Sequence, residues 1–342
     1  MFTYDDYPYR VFISYSRQDH TSAKKVADRL RELNLEPVWD EDNSGGWSFL
    51  DVITKQIDHV HLFVPLLTGE SENSSWVNHE IGYAMGRNIP VLPLSLGHLP
   101  RGMVAGIQAE VAERIEDLLP RLRCDRIKRL VQKAQAAAVY DCASLAEDRT
   151  DAILRHCEEV EGFTFQRAQR LRHRAAFGSF SLPFTAHDPL WEKRYQGQVG
   201  QGRSPRRIQR LSEERRRLED YALKFGCDLV LYPKLSHLSR DATEARLQTL
   251  QAFLRKAHDA QAKCRVVFDE SALAQNILIV GDWFFAESIT PHLDGYRHTI
   301  ITCHAPTVLR EVKEFDTRFH AHDDIMSADR AIVRLDESLA SL

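Results

Sequence analysis

The chain has 342 residues, of which 43% are hydrophobic and 27% charged, and its formal net charge is −4. This composition is typical of a soluble globular protein, the length is sufficient for two domains, and the small net charge indicates no class of partner. The six cysteines are widely spaced and form no C-x-x-C pair. They therefore favour a reducing compartment over a framework of disulfides.

The sequence contains no candidate membrane span, because no apolar run approaches the ~20 residues that a membrane helix needs. The N-terminal sequence MFTYDDYPYR is acidic and aromatic, unlike a signal peptide. We therefore expect a cytoplasmic protein that does not enter a membrane.

Strands and helices alternate in the first third of the chain. Short runs rich in β-forming residues lie at positions 10–15, 35–40, 60–67 and 89–94, and helical patterns separate them. This alternation predicts an α/β domain with a parallel sheet and helices on both of its faces. In such domains the functional site lies at the carboxyl ends of the strands.

The segment SSWVNHEIGYAMGR, at positions 74–87, is predicted to be a helix with Ser74 or Ser75 as its N-cap. Its spacing gives two neighbouring faces, an apolar one with Val77, Ile81, Ala84 and Met85 and a second one with Trp76, Glu80, Tyr83 and Arg87. Glu80 is then either a functional carboxylate one turn after a Trp or a solvent-facing residue paired with Arg87.

Three segments in this region, YRVFISYSRQD, VWDEDNSGGW and SSWVNHEIGYAMGRNIPVLPL, occur in a characteristic order and spacing. Together they resemble the Toll/interleukin-1 receptor (TIR) domain over residues 8–118, about a third of the chain. The resemblance implies a flavodoxin-like parallel sheet. In the branch of the family that cleaves NAD+, the Glu four residues after the Trp is catalytic, which corresponds to Glu80.

The resemblance also implies a nucleotide pocket around that carboxylate. The residues that it places there are Ser14, Tyr15, Arg17, Trp39, Asp40 and Trp76. One departure from the family is that Val64-Pro65-Leu66 stands where many members have a Ser at the end of the third strand. This departure affects the expected floor of the pocket.

The chemistry of NAD+ cleavage fits a small set of residues. The reaction resembles glycoside cleavage, with an oxocarbenium-like transition state, and nicotinamide leaves as a neutral molecule without a general acid. A carboxylate near the ribose and an aromatic wall are then sufficient, as Glu80 and Trp76 would supply. NAD+ is the expected substrate, with no separate cofactor and no metal, and the product stays open between ADP-ribose and a cyclic ADP-ribose. No G-x-G-x-x-G follows a strand, so hydride transfer is not indicated.

Two functions follow from the resemblance. The first is an NAD+ glycohydrolase or cyclase that serves anti-phage defence or cell suicide and is activated by homo-oligomerisation, with residues 40–47 at a TIR–TIR contact. The alternative is a non-enzymatic adaptor that acts through protein–protein contacts. An adaptor does not require a Glu at position 80, so Glu80 favours the enzyme.

We expect three regions: a TIR domain at 1–118, a helical and basic linker at 119–204, and a second, smaller α/β domain at 205–342. The last is interpreted as a sensor or oligomerisation module with a small-molecule or protein trigger, and a candidate pocket there comprises Asp282, Glu287, Cys303 and His304. For Cys303 and His304, packing is favoured over catalysis.

Two further clusters have a functional and a structural interpretation. The Arg-rich segments at 121–129 and 203–217 suggest nucleic acid, but interleaved Glu residues and the acidic net charge favour a solvated surface. His320, His322, Asp323 and Asp324 suggest a metal site, and a polar loop after a helix is favoured.

Overall fold

The computed structural model describes residues 9–39, 49–143, 146–161, 169–182, 205–233, 240–292 and 295–342. These residues divide into two compact units. Unit 1 holds the described residues up to Val139 together with Cys303–Arg310, and unit 2 holds the rest of the described chain from Tyr140 onward. None of the helices in these ranges combines the length and the apolar character that crossing a membrane requires.

Unit 1 contains a sheet of five parallel strands in the order β2-β1-β3-β4-β5 among its described residues. The strands are β1 (Arg10–Ser14), β2 (Glu36–Val38), β3 (Leu62–Leu67), β4 (Leu94–Leu96) and β5 (Glu110–Ala112). The helices are α1 (His20–Glu32), α2 (Phe49–Asp58), α3 (Gly69–Glu72), α4 (Ser75–Gly86), α5 (Ile115–Leu118) and α6 (Cys124–Ala137). The predicted flavodoxin-like fold is confirmed.

Both faces of this sheet are buried, which explains why its central strands are continuous apolar runs. Val11 and Ile13 point to one face, in a core that includes α1 and α6. Phe12 points to the other face, where its ring stacks on Phe63 at 5.5 Å in a core that includes α2 and α4. The alternation along β1 thus serves two cores at once.

The edge beyond β3 differs from the sequence prediction. The fourth strand, expected at 89–94, forms at Leu94–Leu96, and within the earlier run Val91 makes an isolated bridge to Phe63. Pro90 and Pro93 lack the backbone N–H that a regular ladder needs, so the continuous strand begins only after them. The short strand β5 was not predicted.

Unit 2 contains an eight-stranded sheet in the order β13-β9-β8-β7-β10-β11-β12-β6. Its strands are β6 (Asp141–Ala143), β7 (Leu171–Ala175), β8 (Cys227–Leu231), β9 (Cys264–Phe268), β10 (Asn276–Val280), β11 (Phe284–His292), β12 (Gly295–Thr302) and β13 (Met326–Ser327). The helices are α7 (Ala146–Glu161), α8 (Pro205–Phe225), α9 (Arg240–Asp259), α10 (Ala305–His320) and α11 (Ala328–Ala340). Only the part of α10 from Glu311 onward belongs to unit 2. The strands β7, β8 and β9 are parallel, and the remaining pairings are antiparallel.

The α/β class of the second domain is confirmed, but unit 2 is larger than the region expected at 205–342. The predicted linker at 119–204 supplies the strands β6 and β7 and the helix α7 to unit 2, and the helix α6 to unit 1. Strand β7 lies in the middle of the sheet, between β8 and β10. Whether the expected boundaries delimit independently folding domains stays a prediction.

Strand β7 carries two buried polar side chains, and both have hydrogen-bond partners within unit 2. The guanidinium of Arg172 makes two hydrogen bonds to the carboxylate of Asp316, at 2.6 and 2.9 Å. His173 Nδ1 lies 2.8 Å from the carbonyl oxygen of Ile277, and its Nε2 accepts from the backbone N–H of Ser179 at 3.0 Å. Since Nε2 is an acceptor, the ring is neutral and Nδ1 donates. Burial lowers the pKa of His173 to about 4, although the Ile277 carbonyl opposes this shift.

We predict that His173 makes the stability of unit 2 depend on pH. Its folded pKa lies below its unfolded value, so acidification protonates the unfolded chain first and stability is lost as the pH falls from about 6.5 towards 4. Between pH 7 and pH 5 this contribution to the free energy of unfolding amounts to about 2 kcal/mol. Urea unfolding followed by circular dichroism at the two pH values, with wild type and His173→Gln, measures it.

The exposed His258, also in unit 2, provides the control, and His258→Gln is expected to keep the wild-type dependence on pH. An unchanged difference between pH 7 and pH 5 in His173→Gln would show that another group is responsible.

Candidate functional site

The strand order of unit 1 reverses between β1 and β3, and in such sheets ligands bind at the carboxyl ends of the strands beside this switch point. Ser14 ends β1, and Thr68 follows the end of β3. In the register of the two strands, Ser14 lies opposite Pro65. The residue next to Ser14 is therefore Pro65, and the departure noted in the sequence gives this part of the sheet an apolar surface.

Helix α4 brings a carboxylate to this switch point. The hydroxyl of Ser74 caps the helix by accepting from the N–H of Val77 at 3.4 Å, as the sequence predicts. The buried residues Val77, Ile81 and Ala84 fix the inward face. Met85, which we expected on that face, is 39% exposed, because it lies at the edge of the buried stripe and close to the helix end.

Glu80 lies on the buried side of α4, where its residue is 7% exposed. Its Oε2 accepts a short hydrogen bond from the hydroxyl of Ser14, which is 1% exposed. A buried carboxylate is costly without such a partner. The solvent-facing interpretation of Glu80 is therefore wrong, and two of the residues that sequence analysis placed in the pocket are in direct contact.

Arg87, the partner that this interpretation gave to Glu80, is instead bound to Asp58. Arg87 Nε donates to the Asp58 carboxylate at 2.7 Å, and the Tyr83 hydroxyl lies 3.0 Å from both of its oxygens. Asp58 ends α2, so this cluster joins the last turns of two helices. Tyr83 and Arg87 thus anchor α4, while Glu80 reaches the end of β1.

Three aromatic rings lie together beside the loop after β1. Tyr15 and Trp39 have ring centroids 6.0 Å apart, and His20 stacks on Trp39 at 5.4 Å. Trp76, one turn before Glu80, is half-buried against the core that contains Phe12. His20 was not among the predicted pocket residues, although its place at the start of α1, after the S-R-Q-D loop, was a usable signal.

A second polar link closes the same end of the sheet. Thr68 Oγ1 donates to a carboxylate oxygen of Asp19 at 2.7 Å. Partial burial raises the pKa of Asp19, Glu70 raises it further, and the hydrogen bond from Thr68 opposes both. The link fixes the loop after β1 against the end of β3, and no motif in the sequence announced it.

Two other expected pocket residues are not joined to this arrangement. Arg17 lies exposed in the short 3-10 helix Arg17–Asp19 and makes no side-chain hydrogen bond or ion pair with another described residue. Asp40, and with it the expected contact segment 40–47, lies outside the described residues. Their roles stay predictions.

Comparison with known families gives a match for this part of the chain. The family model described as the TIR domain matches residues 11–117. This part of the chain is a TIR domain. Its limits agree with the resemblance over residues 8–118, and the rest of the chain matches no family model. A search of curated proteins found no match.

Outside the TIR domain, the candidate residues have separate environments. His304 Nδ1 lies 2.6 Å from Thr307 Oγ1, and its Nε2 lies 3.1 Å from the carbonyl oxygen of Asn88, so both ring nitrogens are engaged. Burial lowers the pKa of His304. These contacts and the burial support the packing interpretation of His304. Asp282 is buried, whereas Glu287 lines a cavity of unit 2.

The charged clusters also have partners within the chain. Arg123 and Arg129 pair with Asp125 at 3.1 and 2.9 Å, and Arg215 pairs with Glu219 at 2.6 Å. These pairs support a solvated surface, and nucleic-acid binding is not proposed.

Three of the four candidate metal ligands have separate contacts. His320 Nδ1 lies 2.7 Å from the carbonyl oxygen of Asp316, His322 lies 3.7 Å from Asp269, and Asp324 lies 3.6 Å from Arg334.

The bond between Ser14 and Glu80 generates a prediction about stability. In Glu80→Gln the amide oxygen still accepts from Ser14, so we expect the free energy of unfolding to stay within about 1 kcal/mol of wild type. Glu80→Ala leaves a buried hydroxyl without its partner and should cost about 1–3 kcal/mol. Urea unfolding of the three proteins measures both differences.

Glu113→Ala is a matched control, because Glu113 is exposed in the same domain, and it should unfold like the wild type. Equal stability of Glu80→Ala and wild type would mean that the Ser14 bond contributes nothing to the fold.

Proposed function

We propose that the TIR domain cleaves the bond between nicotinamide and ribose in NAD+, with Glu80 as the catalytic carboxylate. The observation that carries this proposal is the buried Glu80 carboxylate, bonded to Ser14 at the β1/β3 switch point. A fixed negative charge in a partly dry site stabilises a developing positive charge far better than it would in water. The oxocarbenium-like ribose of this reaction develops such a charge.

In the reaction, the bond between the ribose carbon and the pyridinium nitrogen breaks, and its electron pair neutralises the nicotinamide that leaves. Glu80 stabilises the ribosyl cation or bonds to it, and water or an internal acceptor then completes the product. The Ser14 hydroxyl holds one carboxylate oxygen in place. The cluster of Tyr15, His20 and Trp39 offers an aromatic surface on which a base of NAD+ can stack, and Trp76 offers a separate ring one turn before Glu80.

The proposed role extends from the reaction to the cell. Hydrolysis releases ADP-ribose and depletes NAD+, whereas cyclisation makes a messenger, and either outcome suits anti-phage defence or cell suicide in the cytoplasm. Activation is proposed to occur by TIR self-association. Unit 2 would then serve as sensor or oligomerisation module for a small-molecule or protein trigger.

We predict that Glu80→Gln abolishes NAD+ cleavage without unfolding the domain. Removal of the charge, while the Ser14 bond is retained, should lower the rate by about 100-fold or more. Chromatography of nicotinamide and adenine products, with concentrated protein and NAD+, measures the rate. The exposed Glu113→Gln is the matched control and should retain the wild-type rate.

Three outcomes are distinguishable. Loss of release in Glu80→Gln alone supports the proposal. Release that survives in this variant would mean that the reaction is right and the site is wrong. No release from folded, assembled wild type would favour the non-enzymatic adaptor.

We also predict that the active site is completed by a neighbouring copy through residues 40–47. Trp47→Ala should then be inactive on its own, as Glu80→Gln is. A mixture of the two variants should regain part of the activity, because some mixed pairs contain one site with neither substitution. The rate per molecule of wild type should also fall on dilution. A mixture that stays inactive, together with a rate per molecule that is independent of concentration, would contradict a shared site.

A further inference from the structure

A cavity of about 100 Å³ lies in unit 2, between one face of the sheet and helix α10. Its floor is one row of residues across four neighbouring strands. The register places Val230 of β8 beside Arg174 of β7, then Ile277 of β10, then Glu287 of β11. Residues on the facing side of α10, among them Glu311, complete the lining.

The row contains two opposite charges, Arg174 and Glu287, that do not neutralise each other. Arg174 and Glu287 are two strands apart, which separates their backbones by about 10 Å. The Nη2 of Arg174 donates to Ser271 Oγ at 2.6 Å and lies 3.6 Å from Asp269. The Glu287 carboxylate makes no hydrogen bond or ion pair with any described residue. The apolar Ile277 lies between the two charges.

A hydrogen-bond donor and a hydrogen-bond acceptor at this cavity both lack a partner among the described residues. Within the described part of the chain, Arg174 Nε is a buried donor and Gln275 Oε1 a buried acceptor, and neither has a hydrogen bond. Both residues line the cavity. Burial raises the pKa of Glu287, and the neighbouring Glu311 and Glu314 raise it further, against the effect of Arg318. Native proteins pair nearly all buried polar groups, so this arrangement fits a ligand that brings both donors and acceptors.

We propose that this cavity binds a small zwitterion of the α-amino-acid class, its ammonium group at Glu287 and Gln275 and its carboxylate at Arg174. A cavity of about 150 Å³ holds benzene, so this one has room for a molecule about the size of alanine. The rings of Phe285 and Phe315, which also line the cavity, suit an apolar side chain. A zwitterion pairs with both Arg174 and Glu287, whereas a simple cation or anion leaves one of these two charges unpaired with the ligand.

Three probes of similar size test the ligand class on the full chain. L-alanine carries both charges, ethylamine carries only the positive one, and propionate carries only the negative one. Calorimetric titration should give L-alanine a Kd below about 1 mM. Each singly charged probe loses a charge-assisted hydrogen bond and should bind about tenfold more weakly or worse. Ethylamine binding as well as L-alanine, or no binding of L-alanine, would overturn the proposal.

Variants then locate the site. Glu287→Gln should weaken L-alanine binding by about tenfold or more, because the charge that faces the ammonium is lost. Glu337→Gln, an exposed position on α11 of the same unit, should bind like wild type. Unchanged affinity in folded Glu287→Gln would overturn the assignment. Since binding is measured without NAD+, this result is independent of whether the TIR domain is an enzyme.

Discussion

The hydrogen bond between Ser14 and Glu80 is the contact on which the candidate site of the TIR domain depends. Its two residues are 66 positions apart, one at the end of β1 and the other in α4. Taking a carboxylate out of water costs free energy unless hydrogen bonds compensate it. The sheet order, the helix cap at Ser74 and the apolar face of α4 all serve to bring these two groups together. Few other arrangements of α4 would keep Glu80 both buried and bonded.

Two other polar residues of α4 bind a different carboxylate, that of Asp58. Tyr83 and Arg87 occupy the same broad face as Glu80, yet both reach Asp58 at the end of α2. They attach the C-terminal end of the helix to Asp58 through hydrogen bonds and an ion pair. Glu80, about one turn before Tyr83 and two turns before Arg87, faces an apolar strand end with Pro65 in register with Ser14. Glu80 therefore reaches the end of β1, whereas Tyr83 and Arg87 bind the end of α2.

Sequence reasoning succeeded where the information is local. The apolar runs of β1 and β3, the cap at Ser74 and the spacing of Trp76 and Glu80 can all be read within a few residues. It failed where the determining partner is distant. Strand β7 has the sequence LRHRA, which looks like a basic surface until Asp316, 144 positions later, neutralises Arg172. The link between Asp19 and Thr68 spans 49 positions and has no local signal either.

The buried charges of unit 2 also define what is unusual about its cavity. Arg172 is paired with Asp316, and Asp228 is held by Arg170 and Arg265 at 2.8 and 2.7 Å. Arg172, Asp228 and Arg265 lie in the same sheet as the cavity, and each has a partner with good geometry. Arg174 follows Arg172 by two residues and so shares its face of β7, but its Nε is left without a partner in the described chain. Among the described residues, Arg174 thus keeps one buried donor unpaired in a cavity that also contains the Glu287 carboxylate, and this polarity is that of a binding site more than that of a packing defect.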